Sequence, residues 1–259
     1  MPQLSPLQLA PCMANVEATY GTQPATFSPA NQGFLSIGSP IALRPQFGNQ
    51  DIRPHANSWT KQKRIPTTAL RPISFRFPLT GGTGAAAGFR QGVLFEASGC
   101  KATVGATIVY TPAAMADVKS ITLAQEWPGY SVGVSSESVV IEANGCFGSI
   151  KFMGSASEGL IGEFTGLGLF QDAQESTLRT LYGGGSTAWS GGTNNANKFI
   201  LSGGNRIKLN NGGSDYFPVV SRFEFDLGVE VTAIEDVNAG ATFGIFTELI
   251  TDRNPTLRL

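Results

Sequence analysis

One short stretch with strict alternation does most to limit what this chain can fold into. Between Arg71 and Leu79, every second residue is apolar and the residues between are polar or proline. The apolar members are Ile73, Phe75, Phe77 and Leu79. Because successive side chains of a strand point to opposite faces, this pattern predicts a β-strand with one buried face.

The composition favours the same class of structure along the whole chain. Among 259 residues there are 32 glycines, 17 phenylalanines and only 14% charged residues. Such a composition suits many short strands joined by glycine turns. We therefore expect a single mainly β domain over residues 1–259, since β-rich domains of this length are ordinary.

The residues that follow the alternating stretch predict a helix and another strand. A glycine-rich loop at Gly81–Gly84 leads into a helical run over 85–98, and Gly99 stands where a helix-ending glycine is expected. The β-branched and aromatic residues of Thr103–Thr111 then predict a strand that Pro112 stops.

Further strands are predicted in the middle of the chain. Val118–Ala124 is one candidate, and Ser138–Ala143 and Cys146–Met153 are predicted to form a hairpin. The hairpin turn would be Asn144-Gly145, because Asn-Gly adopts the type I′ turn that matches strand twist. Gly159–Phe170 predicts a strand whose interspersed glycines allow bending or close backbone approach.

Composition shifts divide the chain into segments. Residues 1–40, rich in Pro, Gln, Ser and Thr, predict an N-terminal arm that is ordered by neighbouring copies. Residues 44–66, where prolines interrupt basic residues, predict an extended basic loop. Residues 71–170 form the expected core, residues 183–213 a Gly- and Asn-rich loop, and residues 216–259 the C-terminal strands.

The first C-terminal strand, Ser221–Val231, alternates almost without fault, and Ala241–Ile250 is its predicted companion. Its apolar side chains are expected to face the core, which puts the acidic side chains on the opposite face. Those acids are Glu224, Asp226 and Glu230.

Charge is distributed unevenly although the net charge is only −1. The segment Arg44–Arg90 holds eight of the 18 Lys and Arg residues with only Asp51 opposing them, whereas 17 of the 19 acids follow residue 91. The basic segment could bind nucleic acid, but a sequence pI of about 5.9 favours contacts between subunits. The predicted contact residues are Arg53, Lys61, Lys63 and Arg64.

Catalytic and metal-binding signatures are missing from the sequence. Cys12, Cys100 and Cys146 have no C-x-x-C spacing, and His55 is the only histidine, so we expect reduced, largely buried thiols and no zinc site. There is no G-x-S-x-G turn or phosphate loop, and acids on one strand face are more simply its solvated side. We expect no enzyme, no cofactor, and no membrane-spanning or secretory segment.

The glycines at Gly82, Gly84 and Gly88 lie between a predicted strand and a predicted helix, as in a dinucleotide-binding loop. Their spacing is not G-x-G-x-x-G, and the strands that follow lack intervening helices, so no parallel βαβ sheet is expected. The loop is therefore interpreted as a flexible hinge.

Several short pieces, taken in order, give the chain a family likeness. These pieces are Val16–Thr22, Phe89–Pro112, Phe147–Met153, Gly162–Leu167 and Ile250–Thr256. In this series the chain resembles the major tail tube proteins of long-tailed bacteriophages.

The resemblance implies a two-sheet β-sandwich or barrel with a short flanking helix and extended arms and loops. It also implies hexameric rings that stack into a tube conducting DNA, within a virion tail assembled in the host bacterial cytoplasm. The implied partners are further copies of the chain, a tape measure protein, a tail terminator and baseplate or tail-tip proteins, with no membrane contact.

In such a tube we expect Glu224, Asp226 and Glu230 to line the lumen, with Glu163 from a neighbouring strand. A stripe of negative charge there would repel the phosphates of passing DNA. The same face could instead form the outer surface of the tube, since half-buried strands turn polar residues toward any solvent.

Two other functions remain open at this stage. A carbohydrate-binding β-sandwich, as in a virion decoration or receptor-binding protein, would present exposed aromatic side chains such as Trp127, Tyr130 and Trp189. A β-rich glycosidase would need only two suitably placed carboxylates.

Overall fold

A computed structural model gives the fold of this chain. The described residues are 12–24, 33–34, 36, 41–51, 64–79, 91–104, 108–127, 139–155, 159–175, 209–211, 214–216, 220–236 and 245–259. They are mainly β, as the sequence predicts, with antiparallel strand pairing, one short helix and one 3-10 turn.

The elements in chain order are β1 (Cys12–Val16), β2 (Gly33–Phe34), β3 (Gln46–Asp51), β4 (Arg64–Pro78), α1 (Gly92–Ala97), β5 (Cys100–Val104), β6 (Ile108–Pro112), the 3-10 turn Met115–Asp117, β7 (Ile121–Trp127), β8 (Val139–Ser155), β9 (Gly159–Phe170), β10 (Gln174–Glu175), β11 (Leu209–Asn211), β12 (Ser214–Tyr216), β13 (Arg222–Asp226), β14 (Val229–Glu235), β15 (Ile245–Arg253) and β16 (Thr256–Arg258).

One large antiparallel sheet organises the described residues, with strand order β2-β1-β7-β8-β9-β4-β3. Its longest strand, β8, has 17 residues and changes one of its neighbours along its length. The first part of β8 pairs with β7, and the last part pairs with β13, which in turn pairs with β16.

The inner face of this sheet is built around aromatic residues. Phe225, Phe152, Gly162 and Phe77 lie directly opposite one another across β13, β8, β9 and β4. Phe77 is fully buried, and a side chain on Gly162 would collide with its ring. Glycine therefore lets an aromatic side chain lie against the neighbouring backbone, which agrees with the predicted role of the β9 glycines.

The helix α1 covers part of the same face. Leu94 and Ala97 belong to the same buried cluster as Phe77 and Phe152. Gly99 follows the helix with φ of +71°, as expected for a helix-ending glycine. The part of the helical prediction before residue 91 lies outside the described residues.

The alternating stretch Arg71–Leu79 is confirmed as a strand, but this strand begins earlier than predicted. β4 starts at Arg64 and pairs with β3, so residues 46–51 and 64–66 are strands instead of the expected basic loop. Pro66 is tolerated because β9 pairs with β4 only from Leu70 onward, so the missing N–H of Pro66 removes no bond to β9.

The prediction of an arm over residues 1–40 is wrong for β1. This strand lies between β2 and β7 in the sheet, and Cys12, Met13 and Ala14 are fully buried. Its five residues pair with β7 from Cys12 to Val16, and a short apolar run is easily hidden inside a polar window.

The predicted hairpin at Asn144-Gly145 is also wrong, because β8 runs through it without reversing. Gly145 has φ of +63°, and the pairing with β9 shifts between Asn144 and Phe147. Positive φ at glycine serves a β-bulge as well as a type I′ turn, and here it makes a bulge.

Thr103–Thr111, predicted as one strand, forms part of a hairpin instead. β5 and β6 pair antiparallel, from Cys100 opposite Pro112 to Val104 opposite Ile108, so the predicted single strand is two strands. The β-branched residues fit either arrangement, which is why periodicity did not reveal the turn. The predicted strand Val118–Ala124 exists with shifted bounds, as β7.

The predicted strand Ser221–Val231 breaks at Gly228, where φ is +57°. Asn254 N donates to Gly228 O at 2.9 Å, which joins the β13–β16 pair to the β14–β15 pair as two halves of one bent ribbon. The first half extends the main sheet beside β8. The second half leaves that sheet and contacts β8 and β9.

Several predictions fall on residues outside the described ranges. These include the glycine loop at 81–84, His55, and residues 183–208 of the Gly- and Asn-rich tract. The end of that tract, Leu209–Asn211, forms β11 and pairs with β12.

Candidate functional site

The outer face of the main sheet carries a row of alternating charges. Opposite the aromatic row, the strands β13, β8, β9 and β4 place Asp226, Lys151, Glu163 and Arg76 directly beside one another. Opposite charges on neighbouring strands attract, so each member of the row is flanked by a favourable partner.

Two ion pairs join strands across this face. Arg76 Nε lies 3.2 Å from Glu163 Oε2, and Lys151 Nζ lies 2.9 Å from Glu224 Oε1. Arg258 of β16 approaches the same Glu224 oxygen at 3.5 Å.

The Glu224 carboxylate is the most strongly neutralised of these acids. Its side chain is 16% exposed, compared with 32% for Lys151. The hydrogen bond from Lys151 lowers the pKa of Glu224, the charges of Lys151, Arg258 and Arg222 lower it further, and desolvation opposes them. Glu224 is therefore a charge partner inside the sheet face and not an isolated negative group.

Asp226 accepts hydrogen bonds within the turn that ends β13. Its Oδ1 accepts hydrogen bonds from Ser149 Oγ at 3.2 Å and from Gly228 N at 2.8 Å. Ser149 Oγ also accepts a hydrogen bond from Val229 N at 3.1 Å. This acid thus helps to turn the ribbon out of the main sheet.

The structure brings together three of the four acids predicted to share a surface. Glu224, Asp226 and Glu163 lie on one face, whereas Glu230 follows the break at Gly228 and is exposed opposite Asp252 in the β14–β15 pair. The expected stripe of uncompensated negative charge is wrong for this chain. Its three acids share the face with the cations Lys151, Arg76, Arg258 and Arg222.

Sequence reasoning missed the cations of this face. Lys151 and Arg76 each stand at a polar position of an alternating strand, so their outward direction was visible. Their closeness to the acids depends on the pairing register, which the bulge at Gly145 shifts and which no local pattern reveals.

The predicted basic contacts are only partly described. Arg53, Lys61 and Lys63 lie outside the described residues. Arg64 begins β4 at the register position opposite Asp51.

A second polar cluster lies at the Gly145 bulge and includes Glu17 of the Val16–Thr22 piece. The buried Glu17 carboxylate accepts four hydrogen bonds. The donors are Ser120 Oγ at 2.6 Å, Thr122 Oγ1 at 2.7 Å, Gly145 N at 2.8 Å and Gly21 N at 2.8 Å. Through these hydrogen bonds Glu17, which follows β1, links this part of the chain both to β7 and to the bulge of β8.

Tyr20, from the same piece, connects the bulge to β15. Its hydroxyl accepts a hydrogen bond from Glu248 N at 2.9 Å, and its ring stacks on Phe147 with centroids 6.1 Å apart. The motif Val16–Thr22 thus has a structural explanation, since its polar residues hold three parts of the fold together.

Other candidate chemistry receives no support from the described residues. Among them, no group of three His, Cys, Asp or Glu side chains is placed to hold a metal ion. Cys12, Cys100 and Cys146 are buried and no disulfide joins them, and burial raises the pKa of the Cys146 thiol well above its usual value. No described helix is long and apolar enough to cross a membrane.

Comparison of the chain with protein-family models and with curated proteins gives no match.

Proposed function

We propose that this chain is a structural subunit of a bacteriophage tail tube, in which hexameric rings stack around a channel for DNA. The observation that carries the proposal is the balanced row Asp226, Lys151, Glu163 and Arg76 on the outer face of a broad sheet. We place this face at the lumen.

A wall that conducts DNA must not retain it. Unpaired Lys and Arg side chains would bind phosphates and release counterions, which makes DNA stick. Here Arg76 lies beside Glu163, and Lys151 and Arg258 lie beside Glu224. Each of these cations therefore has an acidic partner on the face, which weakens its attraction for the DNA phosphates.

Assembly would also cover exposed strand edges. Within the described strands, β3 bonds only to β4 and so ends the sheet with an edge. Such edges invite pairing with other chains unless a neighbour covers them. In the proposed ring, edges of adjacent copies join the sheets into a barrel, while the β14–β15 ribbon supplies a second layer.

The remaining parts of the proposal follow from the family resemblance. The tube belongs to the virion tail and assembles in the host bacterial cytoplasm, where it meets a tape measure protein, a tail terminator and baseplate or tail-tip proteins. Arg53, Lys61, Lys63 and Arg64 contact neighbouring subunits. The role is structural, with no catalysis.

Electron microscopy of the purified chain tests the proposal. We expect rings or tubes whose abundance increases with protein concentration. Particles that stay monomeric and globular across concentrations, confirmed by sedimentation, would contradict it.

A carbohydrate-binding β-sandwich is the second candidate. Trp127 at the end of β7 is 37% exposed, and exposed aromatic rings can stack on sugars. Tyr130 and Trp189, the other expected aromatic side chains, lie outside the described residues. Glycan-array binding that Trp127→Ala abolishes, together with a monomeric state, would favour this function.

A further inference from the structure

A buried carboxyl group on β15 has no role in the proposed tube. Glu248 has no exposed surface, and neither carboxylate oxygen receives a hydrogen bond within the described part of the chain. A buried ionised carboxylate without partners is very costly, and proteins usually avoid it by keeping the group protonated.

Glu17, in the same region, shows how a buried acid is normally satisfied. Its two carboxylate oxygens each accept two hydrogen bonds, whereas those of Glu248 accept none from the described residues. Burial raises the pKa of Glu248 to about 9, and the nearby charge of Glu17 adds to the increase. Because only Glu17 has hydrogen-bond donors within the described ranges to stabilise a negative charge, we expect the proton to reside on Glu248.

Among the described residues, the titratable groups that interact with Glu248 supply no compensating positive charge. The titratable side chains coupled to it are Glu17 after β1, Tyr20 in the following turn and Cys146 on β8. None of these is a cation. Opposite Glu248 on β14 is Ala233. The charged residues Asp252 and Arg253 lie four and five residues further along β15.

We propose that Glu248 is held protonated in the folded chain, and that its ionisation releases the β14–β15 ribbon from Tyr20 and Phe147. The inference does not depend on assembly, because every group it uses belongs to one chain.

The ribbon is suited to local release. β14 and β15 pair with each other, and no strand ladder among the described residues joins them to the main sheet. Contacts at the Glu248 end include the hydrogen bond from Glu248 N to the Tyr20 hydroxyl and the packing near Phe147. A cleft of about 490 Å³ beside β15, lined by Phe147, Met115 and Ile250, leaves room for the strand to move.

The direction of the pH effect follows from proton linkage. The pKa of Glu248 is about 9 in the folded chain, against an ordinary 4.5. Between these values the folded, docked state binds one more proton than the state in which Glu248 meets water. The docking equilibrium constant therefore falls with rising pH, by about tenfold per pH unit at most.

Hydrogen exchange of the full chain between pH 7 and 10, corrected for intrinsic exchange rates, tests this directly. We expect protection of β14 and β15 to fall by up to tenfold per pH unit below about pH 9, while the β8–β9 ladder stays protected. Glu248→Gln should remove this pH dependence. The matched control is Glu230→Gln, an exposed acid on the neighbouring strand, which should keep the wild-type profile.

The same pH dependence in wild type and Glu248→Gln would overturn the proposal, as would uniform loss of protection across the sheet. If Glu248→Gln does not fold, a carboxyl-carbon NMR titration of the wild-type chain decides. A midpoint for Glu248 near pH 9 supports the proposal, and one near 4.5 overturns it.

Discussion

The acids that lie near the two parts of β8 are stabilised in different ways. Beyond the bulge, the outer face sets Glu224 and Glu163 beside Lys151, Arg258 and Arg76, where water reaches the side chains. At the bulge the acids are buried, and there the Glu17 carboxylate accepts hydrogen bonds while the Glu248 carboxylate accepts none from the described residues.

This difference suggests that the bulge contributes mainly to stability and the outer face mainly to function. Exposed ion pairs contribute little to stability, so the outer face is free to be shaped by what passes over it. Buried polar groups cost much when their partners are removed, so the bulge determines how β1, β8 and β15 are joined. Substitutions in the two regions should therefore differ sharply in size of effect.

The largest effect is expected at Glu17. Replacing it by Ala leaves four donors without their acceptor, two of them on the buried side chains of Ser120 and Thr122. We expect a loss of about 3–5 kcal/mol in the free energy of unfolding, measured by urea denaturation.

Glu17→Gln is the matched control for this variant. It keeps the volume and one acceptor oxygen but turns an amide NH₂ toward existing donors, so its loss should be smaller than that of Glu17→Ala. A change below about 1 kcal/mol in both variants would show that the bulge cluster does not hold the fold together.

An intermediate effect is expected at Gly145. Its φ is +63°, and a Cβ there would lie 2.9 Å from the Tyr20 ring. Gly145→Ala should cost about 2–3 kcal/mol, from the left-handed backbone and from displacing the ring. Gly145→Asn separates these causes, because Asn tolerates positive φ. An equal loss for Asn and Ala assigns the effect to the ring, whereas wild-type stability for Ala would contradict the bulge geometry.

The smallest effect is expected on the outer face. Glu163→Gln removes the partner of Arg76, whose side chain is 59% exposed. We expect a loss of about 0.5 kcal/mol or less, measured by urea denaturation, that disappears in 1 M salt. A loss as large as that of Glu17→Ala would remove the distinction between the two regions.

Some parts of the fold could be predicted from local sequence patterns, and others could not because one pattern fits two structures. The alternation around Phe75 predicted the later part of β4, because burial of one face leaves a direct period-2 signal. Asn144-Gly145 wrongly predicted a hairpin turn, because the positive φ of Gly145 serves a bulge as well as a turn. At Gly228 the alternation continued across a break, since each half of the ribbon alternates separately.

The candidate surface was only half predictable for the same reason. Parity alone placed Glu224 and Asp226 on the face opposite the core. The neutralising cations come from β8, β4 and β16, and their positions depend on registers between strands distant in sequence. Local patterns carry no information about such registers unless a short turn fixes them.

The most direct test of the proposed function is the radial position of the charged row in an assembled tube, determined by cryo-electron microscopy. We expect Lys151, Glu163 and Glu224 of every copy to face the lumen, with the ion pairs Lys151–Glu224 and Arg76–Glu163 intact. A tube in which these side chains lie on the outer surface would contradict the proposed channel wall.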